Sequence, residues 1–312
     1  TNEANTANEK LVNVTKLSNL ALQLYSWYIK NGHARNENDE RVIESYFQEH
    51  LTDGIISPEG FYQNLYYNQS YCWYAFIRQD FLLYYRYAQK WVDLFNREPA
   101  MIEIETANYI KGLHNLLNAH FNLRNYPGFT KTLQLFEKFS NANIVNQNYN
   151  NRIQVFVYLY IAKINKHFLD GTFKEGLEIV PDIMHQLNEY NIYLDNHRVL
   201  VFYYKIASLY FGAGDYDTSI NYLNKIINWK VDLRTDLQCY ARLLHLIAHY
   251  EIGNFQLLEY LIKSVYRFMA KMQNLSLVEE EVFKFLKKSF YLSSKKLKPE
   301  FEKLLNTIKQ FE

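Results

Sequence analysis

Residues 203–228 read YYKIASLYFGAGDYDTSINYLNKIIN. Ile206, Ala207 and Tyr210 lie three, four and seven residues after Tyr203, which is the period of one helix face. Gly214-Asp215-Tyr216 interrupts that period, and Ser219 and Leu223 resume it four residues apart. The stretch therefore predicts a helical hairpin. Small side chains at 207 and 219 let two helices approach, and the large ones fill the adjoining groove. The same device recurs along the chain. A short polar or Gly-containing turn precedes an aromatic residue at Phe81, Tyr126, Phe173, Tyr216 and Phe255, at separations of 45, 47, 43 and 39 residues. Self-similarity at such a period predicts stacked helical hairpins, each covering the apolar face of the next.

The flanking sequence supplies further helices. Leu11, Val14, Leu17, Leu20, Leu24 and Tyr28 predict an amphipathic helix over about 9–31, stopped by Asn31-Gly32. A second helix is expected over 38–51, and Ser57-Pro58-Glu59 reads as the start of a third. Five hairpins are then expected: 61–77 with 81–96, 105–122 with 129–140, 151–168 with 173–190, 196–211 with 216–228, and 235–251 with 255–273. Pro181 falls inside a predicted helix and should kink it. Ser276 and Glu279 form a capping box, and Lys298-Pro299-Glu300 is expected to open the last helix. One continuous array results, with an N-terminal helical pair in 1–57, five hairpins in 58–273 and capping helices in 274–312.

Bulk composition narrows the function classes. Among 312 residues, 48% are hydrophobic and 21% charged, which is a globular balance. Ten Gly and five Pro are too few for an all-β chain. A net charge of +1 supplies no general field for nucleic acid or an anionic membrane. Cys72 and Cys239 cannot build a disulfide framework, so a reducing, cytoplasmic setting is expected. No apolar stretch approaches the ~20 residues of a membrane span. The chain opens at Thr1 without Met, so residues upstream of it are expected.

The hairpin at 203–228 resembles a tetratricopeptide repeat. Its large, apolar, small and Tyr positions are Tyr203, Ile206, Ala207 and Tyr210, and its second helix has Ser219 and Leu223. Gly253-Asn254-Phe255 keeps the turn, while Asn125-Tyr126 and Gln79-Asp80-Phe81 lack the glycine. More widely, KLSNLALQLYSWYIKNGH (16–33), NQSYCWYAFIRQDFLLYYRYAQKWVDLF (68–95) and KGLHNLLN (111–118) resemble a family of uncharacterised bacterial helical-repeat proteins. The resemblance implies an all-α, right-handed α-solenoid of stacked antiparallel helix pairs, with no agreed activity. It also implies that the first helix of each pair lines a concave groove.

Individual candidates carry little catalytic signal. His245 and His249 share a helix face, as a zinc pair requires, but Leu246 stands where a metalloprotease has Glu and no third ligand is indicated. His114 and His120 are six apart and fall on different faces. Gly212-Ala213-Gly214 follows a helix and reads as a turn, not a phosphate loop. The runs Tyr66-Tyr67, Tyr71–Tyr74, Tyr84-Tyr85-Arg86-Tyr87 and Tyr203-Tyr204 could stack bases, but without a basic track they are expected to fill space between helices. Lysines 284, 287, 288, 295, 296 and 298 read as a solvated face of the terminal hairpin, or as a contact for an acidic partner.

Mapped through the resemblance, the groove residues are Gln69, Trp73, His114, Asn118, Asn165, Tyr204, Ser208, Arg242 and His245. The expectation is a non-enzymatic scaffold binding a peptide or protein partner, without cofactor, metal, nucleic acid or membrane. The alternatives are a small-ligand or signalling-peptide sensor, or an enzyme using the groove as its active site. Clustered, strongly shifted histidine or carboxylate pKa values in one cleft would favour the enzyme.

Overall fold

The computed structural model describes residues 2–51, 57–229, 234–272, 275, 277–289, 292 and 294–311. Among them every regular element is helical. In chain order these are α1 (Asn2–Asn31), α2 (Glu37–His50), α3 (Gly60–Ile77), α4 (Phe81–Arg97), α5 (Met101–Ile104), α6 (Thr106–Asn122), α7 (Tyr126–Ser140), α8 (Asn143–Asn146) and α9 (Tyr149–Asp170). Then follow α10 (Phe173–Gly176), α11 (Val180–Glu189), α12 (Asn196–Gly212), α13 (Tyr216–Ile227), α14 (Thr235–Glu251), α15 (Phe255–Lys271), α16 (Leu277–Ser289) and α17 (Ser294–Ile308). No described helix is long and apolar enough to cross a membrane.

All five aromatic turns share one backbone solution. The residue two before the aromatic is left-handed: Gln79 (φ 60°), Arg124 (φ 51°), Gly171 (φ 70°), Gly214 (φ 84°) and Gly253 (φ 75°). The next N–H reaches back five residues to close the preceding helix, as in Asp80 to the Ala75 carbonyl and Asp215 to the Tyr210 carbonyl. Asp80, Asn125 and Asp215 then cap the following helix through Leu83, Gly128 and Thr218 N–H. The turn geometry persists where its glycine does not.

Helix pairs pack with their neighbours in chain order. Within hairpins α3 meets α4, α6 meets α7, α12 meets α13 and α14 meets α15. Between hairpins α4 meets α6, α9 meets both α6 and α7, α12 meets α9, and α13 meets α14. Ala207 and Ser219 are both wholly buried, and Ser219 Oγ donates to the Ala207 carbonyl at 2.9 Å, so the small positions bring the two backbones together. The Phe173 ring rests on Gly212, where an added Cβ would lie 2.3 Å from a ring carbon. Tyr71 and Tyr87 stack at 4.1 Å, and buried Tyr84 donates its hydroxyl to Asn115 Oδ1 at 2.9 Å. These rings join helices, as the aromatic runs led us to expect.

Among the described residues α1 also meets α14, out of chain order. The Arg234 guanidinium lies 5.0 Å from the centre of the Tyr28 ring, and Arg35 Nη1 donates to the Met272 carbonyl at 2.9 Å. Gly32 (φ 82°) presses on Asp236, whose Cγ an added Cβ would meet at 2.5 Å. Only a residue without a side chain fits there.

Several predicted boundaries move. Ser57 is not a cap: α3 starts at Gly60, and Gln63 Oε1 accepts the Glu59 N–H at 3.0 Å from inside the helix. The predicted 173–190 helix is broken by a 3₁₀ turn over Leu177–Ile179, after which Pro181 sits in the first turn of α11. Proline supplies no N–H and its ring crowds the carbonyl four residues earlier, which a fresh helix start avoids. Pro127 likewise occupies the first turn of α7, which therefore begins at Tyr126. Pro299 lies inside α17, not at its opening. Ser276 of the expected capping box lies outside the described residues.

Candidate functional site

The polar residues of the first helices converge on one cavity of about 710 Å³. Its wall is contributed by α1, α3, α4, α6, α9, α12 and α14, so the α1–α14 contact completes its circumference. On α6 the stripe Asn108, Lys111, Asn115, Asn118 and Asn122 steps by three or four residues and faces inward on an otherwise apolar helix. On α12 the corresponding stripe is His197, Arg198, Val201, Tyr204 and Lys205.

Six of the nine sequence-predicted groove residues meet here: Gln69, Trp73, His114, Asn118, Asn165 and Tyr204. Gln69 Nε2 donates to Asn108 Oδ1 at 3.1 Å, and Trp73 packs on Tyr25 at 4.9 Å. His114 stacks on Tyr158 at 4.1 Å, with its Nε2 3.0 Å from Asn118 Nδ2. The other three lie elsewhere. Ser208 Oγ is turned back on its own helix, donating to the Tyr204 carbonyl. Arg242 stacks on Phe268 at 3.8 Å and donates to the Gln238 and Ile227 carbonyls. His245 is buried against His249, ring centres 4.5 Å apart. The first helix of the last hairpin, α14, reaches the cavity only near its start, through Asp236, Leu237 and Tyr240, and Arg242 and His245 lie further along it.

The cationic residues were not anticipated. Arg234 and Asp236 form a buried bidentate pair, both bonds at 2.8 Å, and the guanidinium holds the Asp236 carboxyl below its ordinary range despite burial that alone would raise it. Arg234 is left-handed (φ 50°), held by that pair and by Tyr28. Arg198 Nε lies 3.5 Å from Asp195 Oδ2 at the start of α12. Lys205 Nζ donates to the neutral Asn165 Oδ1 at 2.6 Å. Burial first, then the nearby Arg234 charge, brings Lys205 down to about 8. Burial also lowers Lys111, helped by Arg198. Burial, then Lys205 and Arg198, brings His114 to about 3, and burial with Arg234 brings His197 to about 4. Both imidazoles are therefore neutral near pH 7. The His197 Nδ1 and Trp91 Nε1 atoms are buried without a protein partner among the described residues.

The signal for these residues was present in part. Lys111 and Asn115 share the stripe of Asn118, and Arg198, Val201 and Lys205 follow one another at steps of three and four beside Tyr204. Arg234 and Asp236 had no such signal, because they sit at the start of α14 and reach the cavity through the ring closure. Elsewhere, Lys284 pairs with Glu281 and Lys288 with Glu300, each at 2.6 Å, so the C-terminal lysine cluster is partly neutralised. No protein-family model and no curated protein matches the chain.

Proposed function

We propose that the chain is a right-handed, tetratricopeptide-like α-solenoid, one domain over 1–312, that works as a cytoplasmic binding module. Its binding place is the inner face of the first helices. The observation carrying this reading is the convergence of amide, cationic and aromatic side chains from seven helices on one cavity. Helix packing alone gives no reason to place Lys111, Asn118, Asn165 and Lys205 on an inward face. A volume of about 710 Å³ suits a short peptide segment or a small ligand better than a folded protein surface. That favours the sensor form of the expectation over an open scaffold. Rings such as Trp73 and Tyr204 would hold the ligand's apolar parts, and Gln69, Asn118 and Asn165 its peptide-like polar groups.

The test is a screen of short peptides by quenching of tryptophan emission, since Trp73 and Trp91 line the cavity. A peptide that binds the parent should lose its affinity in the Asn118→Ala, Tyr204→Ala double variant. Binding that survives in a variant with unchanged circular dichroism would count against this reading.

A second reading, an enzyme, is favoured by the shifted His114, His197 and Lys205 in one enclosure. Burial is the largest cause of each shift, and the acids acting on His197, Asp195 and Asp236, are paired with Arg198 and Arg234. A general base needs an orienting acid or an accessible proton path, and His114 has instead an amide and a ring as neighbours. Binding is the simpler use of such a wall.

A further inference from the structure

We propose that the α6–α9–α12 wall of the cavity is a subsite for a small organic dianion, with Lys111 and Lys205 as its two countercharges. The inference rests on the cavity being the binding place. Four cationic side chains line it: Lys111, Arg198, Lys205 and Arg234. Arg234 is neutralised by Asp236 at 2.8 Å, and Arg198 by Asp195 at 3.5 Å. Among the described residues no carboxylate lies within salt-bridge distance of Lys111 or Lys205. Glu105 acts on Lys111 only from beyond salt-bridge distance and accepts from Asn108 Nδ2 at 2.7 Å, so two positive charges lack a direct ion-pair partner.

The surroundings of Lys205 sharpen the point. Its amine touches one neutral oxygen, Asn165 Oδ1, and lies 5.8 and 5.4 Å from the centres of the Phe121 and Phe168 rings. Aromatic faces and an amide are weak compensation for an ammonium removed from water. A buried cation without a countercharge destabilises the empty protein, and a ligand that brings the countercharge removes that penalty. The same wall supplies further donors for the remaining lone pairs of an anion, namely the Asn118 amide and the N–H groups of the Asp195-paired Arg198. Trp73, Phe76 and Tyr204 leave room for an apolar body attached to the charged end. A dicarboxylate and a phosphate monoester satisfy this chemistry equally, because both carry close to two negative charges near neutral pH.

Titration calorimetry and thermal melting of the intact protein decide it, with succinate, phenyl phosphate and the uncharged succinamide as probes at fixed ionic strength. At least one dianion should bind and raise the melting temperature, and succinamide should do neither. The stronger of succinate and phenyl phosphate identifies a carboxylate or a phosphate ligand. Lys205→Met and Lys111→Gln should each weaken that binding by about tenfold or more. Without ligand, Lys205→Met should melt at or above the parent temperature, since an uncompensated charge is gone. If that variant does not fold, Lys111→Gln carries the comparison alone. Failure of both dianions to bind, an equal response to succinamide, or unchanged affinity in both variants overturns the assignment. A neutral peptide that binds parent and Lys205→Met equally well would keep the cavity as the binding place while ending the dianion proposal.

Discussion

Gln79 and Arg124 hold left-handed backbone angles at exposed turns where three sister turns have glycine. A side chain in that region costs about 1–2 kcal/mol relative to glycine. Glycine's greater freedom in the unfolded chain returns part of this. Gln79→Gly and Arg124→Gly are therefore expected to stabilise the fold by about 0.5–1 kcal/mol each, and additively, since they lie in different hairpins. Urea unfolding of the two single variants and the double variant checks this, and a loss of stability in both singles would refute it. Gly32→Ala should act in the opposite direction, by about 2 kcal/mol or more, because φ is 82° and the Asp236 carboxylate fills the space. The glycine stops were legible from sequence. The glycine-free turns were legible only through the aromatic and the polar cap that follow them.

At the scale of the helix, the apolar period gave the extent of most elements, and the repeat register gave six residues of the cavity wall, two of them, His114 and Asn118, on α6. Where prediction strayed, a single local feature was responsible. Pro181 begins a helix that periodicity alone would continue, and Gln63 takes over the role assigned to Ser57. Arg242 and His245 lie outside the cavity because α14 meets it near its own start, at Asp236, Leu237 and Tyr240, and the period of one helix does not display which of its turns meets the other helices. The contact between Ala207 and Ser219 yields an element-scale prediction. Ala207→Leu should destabilise by about 1–3 kcal/mol through overpacking, because α12 and α13 have no room to separate. A variant as stable as the parent in urea would show that the small residue is not needed there.

The whole molecule has a property that none of its hairpins has, the meeting of α1 with α14. Local period cannot reveal it, since it depends on small rotations summed over every pair. The enclosure it completes shapes the pH response. His114 and His197 have lowered pKa values in the fold, to about 3 and 4, so the unfolded chain binds their protons first. Their contribution to stability is present above about pH 6.5 and is lost as pH falls towards those values. Lys205, at about 8 in the fold and 10.5 ordinarily, works in the alkaline range. Between these values the unfolded chain again holds the extra proton, so stability attributable to Lys205 should rise from pH 8 towards 10. Melting curves should show an acid flank that softens when His114→Gln is introduced. The alkaline rise should vanish in Lys205→Met.

The Tyr28–Arg234 clasp joins segments that are far apart along the chain, so it forms late in folding, after the intervening hairpins have stacked. A hoop fastened last is also the part most readily unfastened. If the cavity holds a ligand as proposed, escape should be slow while the clasp holds and fast once Tyr28 or Arg234 is truncated.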